Sequence, residues 1–237
     1  MDPRDLSPAR LARVGHLAAA GAAILIVIAG FATLSVGPGR AAGVSSVALD
    51  VEPVVATIAA VAFIVVVGAT FLTWKWMAPL AAFATTAAAT AAGVEVLRGR
   101  ISDAFAPGAH TDLRGGGVLL TLAFWILVVA VIVQAYAAYR RGVDTAIDRA
   151  QSSPEHERGS TGRGTLGLVM SLVGVIMPVF SGLGVTLSLE AFGEYDRDGS
   201  RPGRGTALAR VVFGVIGLSL LVALLGAGAF VMTPPGA

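Results

Sequence analysis

The hydrophobic positions of this chain fall in blocks separated by polar gaps, with no alternating stretch of strand character between them. The apolar runs cover residues 14–36, 53–74, 77–97, 118–139, 165–189 and 207–232. Each is close to the roughly 20 residues that a helix needs to cross a hydrocarbon core of about 30 Å. The pattern predicts an all-α, polytopic transmembrane helical bundle with six membrane segments.

Local signals sharpen the boundaries. Ser7-Pro8 offers a helix N-cap followed by proline at the first helical position. The 23-residue run behind it exceeds the apolar core of a signal peptide, so it reads as a retained span. Gly37-Pro38-Gly39 marks its exit, and Pro53 opens the second helix. Trp74-Lys75-Trp76 suits a tight hairpin at a membrane interface, with indole rings at headgroup depth and a snorkelling lysine. The third run is rich in Ala and Thr and only weakly hydrophobic; such small side chains let backbones approach, which predicts a place in the middle of the bundle. Pro107-Gly108 and Gly115-Gly116-Gly117 break the chain before the fourth run, which leaves the membrane at Tyr136, Tyr139, Arg140 and Arg141.

This divides the chain into a four-span transmembrane bundle (1–141), a polar cytoplasmic linker (142–164) and a two-helix membrane module (165–237). Composition agrees: 55% of residues are hydrophobic and 14% charged, against about a quarter charged in a soluble domain. The net charge of +2 is carried by 16 Arg and one Lys against 15 acidic residues, with no basic stripe interleaved with aromatics to track a nucleic acid. With no cysteine there is no disulfide, thiolate metal site or cysteine nucleophile. Arg in place of Lys, with abundant Ala, Gly and Val, suggests GC-rich codons and a bacterial source.

Orientation follows from the positive-inside rule. For the first four spans, nine Lys and Arg residues lie on the side of the N-terminus and four on the other, which places the N-terminus in the cytoplasm. Six full crossings put Arg197, Arg201, Arg204 and Arg210 outside and reduce the contrast to nine against eight. The alternative is five spans plus one re-entrant segment. If residues 165–194 dip in and return, with the bend at Met177-Pro178 and Ser181-Gly182-Leu183-Gly184, the count is thirteen against four. Against this alternative, irregular backbone at membrane depth must be surrounded by protein or water, whereas one proline within a spanning helix is ordinary.

The tetrapeptide GRGT occurs at residues 162–165 and 203–206, each time before an apolar run. A phosphate loop needs a lysine and a preceding strand, and neither copy has them. No nucleotide is expected. The simpler role is a helix entrance, with Thr165 or Thr206 as cap and Arg163 or Arg204 reaching headgroup phosphate.

The segment GVTLSLEAFGEYDRDGSRPGRGTALARVVFGVIGLSLL, residues 184–221, resembles the bacterial family of two-span membrane modules called domain of unknown function 4190. Gly203, Gly205, Ala207 and Gly214 fit its Gly-x-Gly-x-Ala-x-x-Gly-x-x-x-Gly entrance to the second span. Arg210 stands where the family usually has glycine, and Glu190, Glu194, Asp196 and Asp198 dilute its basic turn. The resemblance covers about residues 160–232 and implies a two-helix membrane hairpin, with no activity attached.

Candidate chemistry is sparse. His16, His110 and His156 have no second histidine at i+3 or i+4, so no metal site is expected. Asp103, His110 and Asp112 are the best acid–base grouping, but no nucleophile accompanies them. Within the spans, Glu95 reads as a snorkelling partner of Arg98, Gln134 as an interhelical hydrogen bonder, and Arg210 lies one turn into the last span. Small-residue faces occur at Ala18/Ala22, Ala19/Ala23, Gly167/Ser171, Gly174/Pro178, and Gly214 with Gly217 and Ser219. They suit packing within the bundle first and docking on another membrane protein second.

The expectation is a multi-pass protein of the bacterial plasma membrane, in contact with the lipid bilayer and with a membrane-protein partner or further copies of itself. It is expected to be non-enzymatic, without catalytic, cofactor-binding or metal-binding residues and without a nucleic-acid partner. The role that fits is a structural or accessory subunit of a membrane assembly; the alternative is a small-solute transporter or channel, using Gln134 or Glu95.

Overall fold

The computed structural model describes residues 7–29, 35–36, 53–72, 76–104, 112–113, 115–152, 161–196 and 204–230. Within them the chain forms seven helices: α1 (Pro8–Ala29), α2 (Pro53–Phe71), α3 (Met77–Ala104), α4 (Gly115–Ser152), α5 (Thr161–Ile176), α6 (Ser181–Asp196) and α7 (Arg204–Phe230). Four of these contain stretches long and apolar enough to cross a membrane: Pro8–Ala29, Val54–Phe71, Met77–Leu97 and Gly117–Asp148. This is the architecture of a multi-pass helical membrane protein.

The helix entrances follow the local chemistry. Ser7 caps α1: its carbonyl accepts the Leu11 amide at 3.0 Å and its hydroxyl accepts the Arg10 amide at 3.4 Å. Pro8 takes the first helical position, where its missing N–H would have had no partner. At the other end of the bundle a two-residue ladder joins β1 (Ser35–Val36) to β2 (Asp112–Leu113), antiparallel, with Ser35 opposite Leu113 and Val36 opposite Asp112. The ladder ties the exit of α1 to the entrance of α4, as an even number of crossings between them requires.

The third apolar run is the hub. α3 touches α1, α2, α4, α6 and α7, whereas α2 touches α1 and α3. Of the best apolar window of α3, 56% is buried, against 22% for α2, so α3 is interior and α2 stands at the rim. Ala81, Ala82, Ala88, Ala89 and Ala92 are fully buried on α3, which brings the neighbouring backbones close, and Phe124, Leu120 and Leu127 of α4 fill the space between. Threonines here are harmless: Thr85 and Thr86 donate to the carbonyls of Ala81 and Ala82 at 2.7 and 2.8 Å, so their hydroxyls are paired within their own helix.

Helix α4 does not end with its apolar run. It continues unbroken through Arg140 and Arg141 to Ser152, so the first eleven residues of the expected 142–164 linker are helical. At 38 residues α4 is about 57 Å long. The extension is used as a packing surface, because α6 crosses it where two glycines meet. A Cβ on Gly142 would run into the Glu190 carbonyl, and one on Gly193 into the Tyr139 carbonyl. The rings of Tyr139 and Phe192 close the same crossing at 6.3 Å.

The segment 165–189, expected as one crossing, is not one helix. It is split between α5 and α6, with a 3-10 turn over Pro178–Phe180, and the two arms pack against each other. Gly174 lies against Ser181, Ser171 against Gly184, and Gly167 against Ser188, a register that only an antiparallel hairpin produces. A Cβ on Gly174 would stand 2.8 Å from the Ser181 Cα, and one on Gly184 2.6 Å from the Ser171 amide nitrogen, so glycine is required for this approach. α7 lies over both arms, with Gly214 against Val185 and Gly217 against the Gly174 carbonyl. Gly167, Ser171, Gly174, Gly214 and Gly217 of the small-residue faces read from the sequence are thus consumed within the molecule, whereas Ser219 is exposed.

Candidate functional site

The best candidate site is the place where the tip of the α5–α6 hairpin meets α3 and α4. Each arm has 16 residues, about 24 Å, short of a core of roughly 30 Å. The tip stops beside the first third of α3: the Phe180 and Phe83 rings stack at 5.3 Å, and Gly182 lies directly on the Thr86 hydroxyl and the Ala82 carbonyl. Thr86 is nine residues into α3, or about 14 Å from its start at Met77, which is close to half of that core thickness.

One turn of chemistry lies next to it. Gln134 of α4 donates from Nε2 to the Thr85 hydroxyl at 3.1 Å, with both side chains buried. Gly15 of α1 closes the other side, since a Cβ there would stand 2.9 Å from Gln134 Cγ and 3.3 Å from the Ala130 carbonyl. Gln134 Oε1 and His16 Nδ1 are buried without a hydrogen-bond partner among the described residues. His16 is 4% exposed and has Arg141 as its charged neighbour. Along the hairpin, Ser171 and Ser188 share a hydrogen bond and Thr186 donates to the Gly182 carbonyl at 2.6 Å. Two of these contacts, Gln134–Thr85 and Ser171–Ser188, join helices, while the hydroxyls of Thr85, Thr86 and Thr186 also bond carbonyls of their own helices.

The structure brings together Gln134, Thr85, Thr86 and the hairpin tip, a grouping that could not be read from the chain. The signal that pointed part of the way was Gln134, the only amide within an apolar run of α4. Glu95 is buried on α3, away from that tip, and the side chain of its expected partner Arg98 lies outside the described residues. The side chains of Asp103, Asp112 and Arg210 also lie outside them, as do His110 and His156 altogether. Among the described residues no group of three or more His, Cys, Asp or Glu side chains could hold a metal ion.

The two GRGT copies are taken up at helix starts. α5 begins at Thr161, five residues earlier than a cap at Thr165 requires, and α7 begins at Arg204, three residues earlier than a cap at Thr206 requires. Thr165 and Thr206 are thus residues of their helices and not caps. The chain matches no family model, no curated protein and no solved structure.

Proposed function

We propose that this chain is a bacterial plasma-membrane protein with five crossings, α1 to α4 and α7, and a re-entrant hairpin, α5–α6, and that it acts as a non-enzymatic structural or accessory subunit of a membrane assembly. The hairpin supports the topology: two arms too short to cross, folded on each other, with the tip covered by α3 as irregular backbone at membrane depth demands. α7, at 27 residues or about 40 Å, is long enough for the fifth crossing. The charge count favours the same arrangement, with thirteen Lys and Arg on the side of the N-terminus and four opposite. The N-terminus is then cytoplasmic and the C-terminus is on the other face. The C-terminal resemblance to two-span modules of unknown function adds no activity.

The observation that carries the structural role is the close packing of the central polar pair. Gln134 bonds Thr85 while Gly15 presses on Gln134 and Gly182 presses on the adjacent Thr86, at distances where an added methyl group meets its neighbour too closely. Such polar contacts act as interhelical glue. Affinity purification in mild detergent tests this reading: co-purification of a stoichiometric membrane partner, or of a defined oligomer, is expected, and recovery of a free monomer alone counts against it.

A second reading, a small-solute transporter or channel, is favoured by one feature. Transporter sites are often built where half-helices end near mid-depth, and α6 starts against Thr86, the residue after the Thr85 that Gln134 bonds, with Gln134 Oε1 buried without a hydrogen-bond partner among the described residues. Solute uptake by proteoliposomes that is lost in Gln134→Ala supports this second reading.

A further inference from the structure

His16 lies on α1 eight residues beyond Pro8, about 12 Å along the helix. Arg13 and Arg10, one and two turns before it, are exposed, whereas His16 is buried. What buries it is the packing of α1 on α4. Gly15 lies on the Ala130 carbonyl and on Gln134 Cγ, and Leu11 and Ala12 cluster with Ala137. A helical side chain leans toward the N-terminus of its helix. The imidazole is thereby turned from the Gly15 contact toward Ala137 and, one turn further along α4, Arg141, the charged group that acts on it.

A neutral imidazole is tolerated here and an imidazolium is not. Nδ1 is buried with no hydrogen-bond partner among the described residues. The neutral ring can leave one nitrogen as an idle lone pair, whereas the protonated ring has an N–H donor on both nitrogens and a charge. Burying a charge costs far more than burying a polar group unless the charge is paired, and the charge that acts on His16 has the same sign. Carboxylates are placed elsewhere among the described residues. The helices packed on α1 are α4, α2 and α3. α2 has no ionisable residue, and Glu95 lies 18 residues into α3, toward the opposite end of the bundle. On α4, Asp144 and Asp148 lie one and two turns beyond Arg141, with Asp144 beside Arg140. Glu190 and Glu194 belong to α6 and meet α4 at Gly142.

We propose that His16 is a pH-sensitive lock between α1 and α4: the neutral imidazole lets the two helices close, and its protonation beside Arg141 drives the N-terminal part of α1 off α4. The sign follows from proton linkage. With the helices apart, the imidazole takes up a proton below about pH 6.5; with the helices packed, the buried ring stays neutral. The open state binds the extra proton, so the lock is closed above about pH 7 and opens as pH falls. Between pH 8 and pH 5.5 one such proton raises the opening constant about tenfold. Carboxylates titrate lower, near pH 4, and stay charged over this range. His16 lies in the N-terminal half of α1, so the pH that is read is that of the side holding the N-terminus.

Thiol labelling reads the opening directly, because the chain has no cysteine of its own. Ala12 is buried between α1 and α4, and Ala9, one turn earlier, is exposed. The full chain in detergent micelles carries either Ala12→Cys or Ala9→Cys and is treated with a methanethiosulfonate reagent. Dividing the first rate by the second removes the pH dependence of the reagent and the thiol. This ratio is expected to rise about tenfold from pH 8 to pH 5.5. His16→Gln, which takes up no proton, holds it flat, Arg141→Gln reduces the rise, and His110→Gln combined with His156→Gln leaves it intact. Unfolding of the cysteine-free chain by sodium dodecyl sulfate in mixed micelles is expected to show the same tenfold change in its equilibrium constant, which covers the case that Ala12→Cys disturbs the interface. An unfolding constant independent of pH over this range overturns the proposal, as does a dependence that survives His16→Gln or a bundle that tightens on acidification.

Discussion

Ser171 of α5 and Ser188 of α6 face each other with their hydroxyls 3.2 Å apart, both fully buried, across a hairpin whose turn lies midway between them in the chain. This pair reports the decisive feature of the molecule. In a continuous helix of the same residues, seventeen positions apart, the two would be separated by about 25 Å. Their contact means that residues 165–194 return to the end at which they start.

The hairpin is predicted to depend on its glycines more than on its hydroxyls. Gly184→Val places two methyl groups on the Ser171 backbone and is expected to cost about 1–3 kcal/mol, as overpacking does. Ser171→Ala loses one hydrogen bond and is expected to cost about 0.6 kcal/mol. Thermal unfolding in detergent ranks the two, and an equal effect of both substitutions contradicts the packing account.

The Gln134–Thr85 bond couples α4 to α3. A double-mutant cycle with Gln134→Leu and Thr85→Val is expected to give a coupling energy near 0.6 kcal/mol and no more than about 1.7 kcal/mol. Reversible unfolding in mixed micelles measures it. A coupling of zero means that the two side chains find equally good partners elsewhere.

Topology is accessible through thiols, because the native chain has none. In the proposed arrangement Ser153→Cys and Ser200→Cys react from the same side, and Ala237→Cys from the other. Membrane-impermeant maleimide on right-side-out and inverted vesicles distinguishes the sides. With six full crossings, Ser153→Cys and Ser200→Cys lie on opposite faces instead.

Phe180 anchors the tip of the hairpin to α3 through Phe83. Phe180→Ala is expected to lose the ring contact, worth about 0.5–1.5 kcal/mol beyond area burial. It should also raise maleimide labelling of a cysteine at Val179, half-buried next to it. Unchanged labelling shows that the glycine contacts alone hold the tip.

Much of the bundle is legible in the order of residues. The starts at Pro8, Pro53 and Met77 are written in proline, in a capping serine and in the interface motif around Trp76, and the structure begins helices at those residues. The interior place of α3 follows from its alanines, since in lipid small side chains mark helix contact. The extension of α4 to Ser152 was not legible, because Arg141, Asp144 and Asp148 resemble a polar linker and nothing in their order reveals that α6 crosses there. The candidate site was legible as Gln134 alone: its partner Thr85 lies 49 residues away in the chain and on another helix.

Residue order by itself marked stretches apolar and long enough to cross a membrane, four of which form such helices among the described residues, because transfer into hydrocarbon depends on the side chains of one segment and on its length. It also marked Met177-Pro178 as a place where a helix could break. Whether the chain there continues forward or turns back was decided only by tertiary structure. Such a turn survives when other helices cover it, and the cover comes from Phe83 and Thr86 of α3 and from Gly214 and Gly217 of α7, which are close to the hairpin in space and distant from it along the chain.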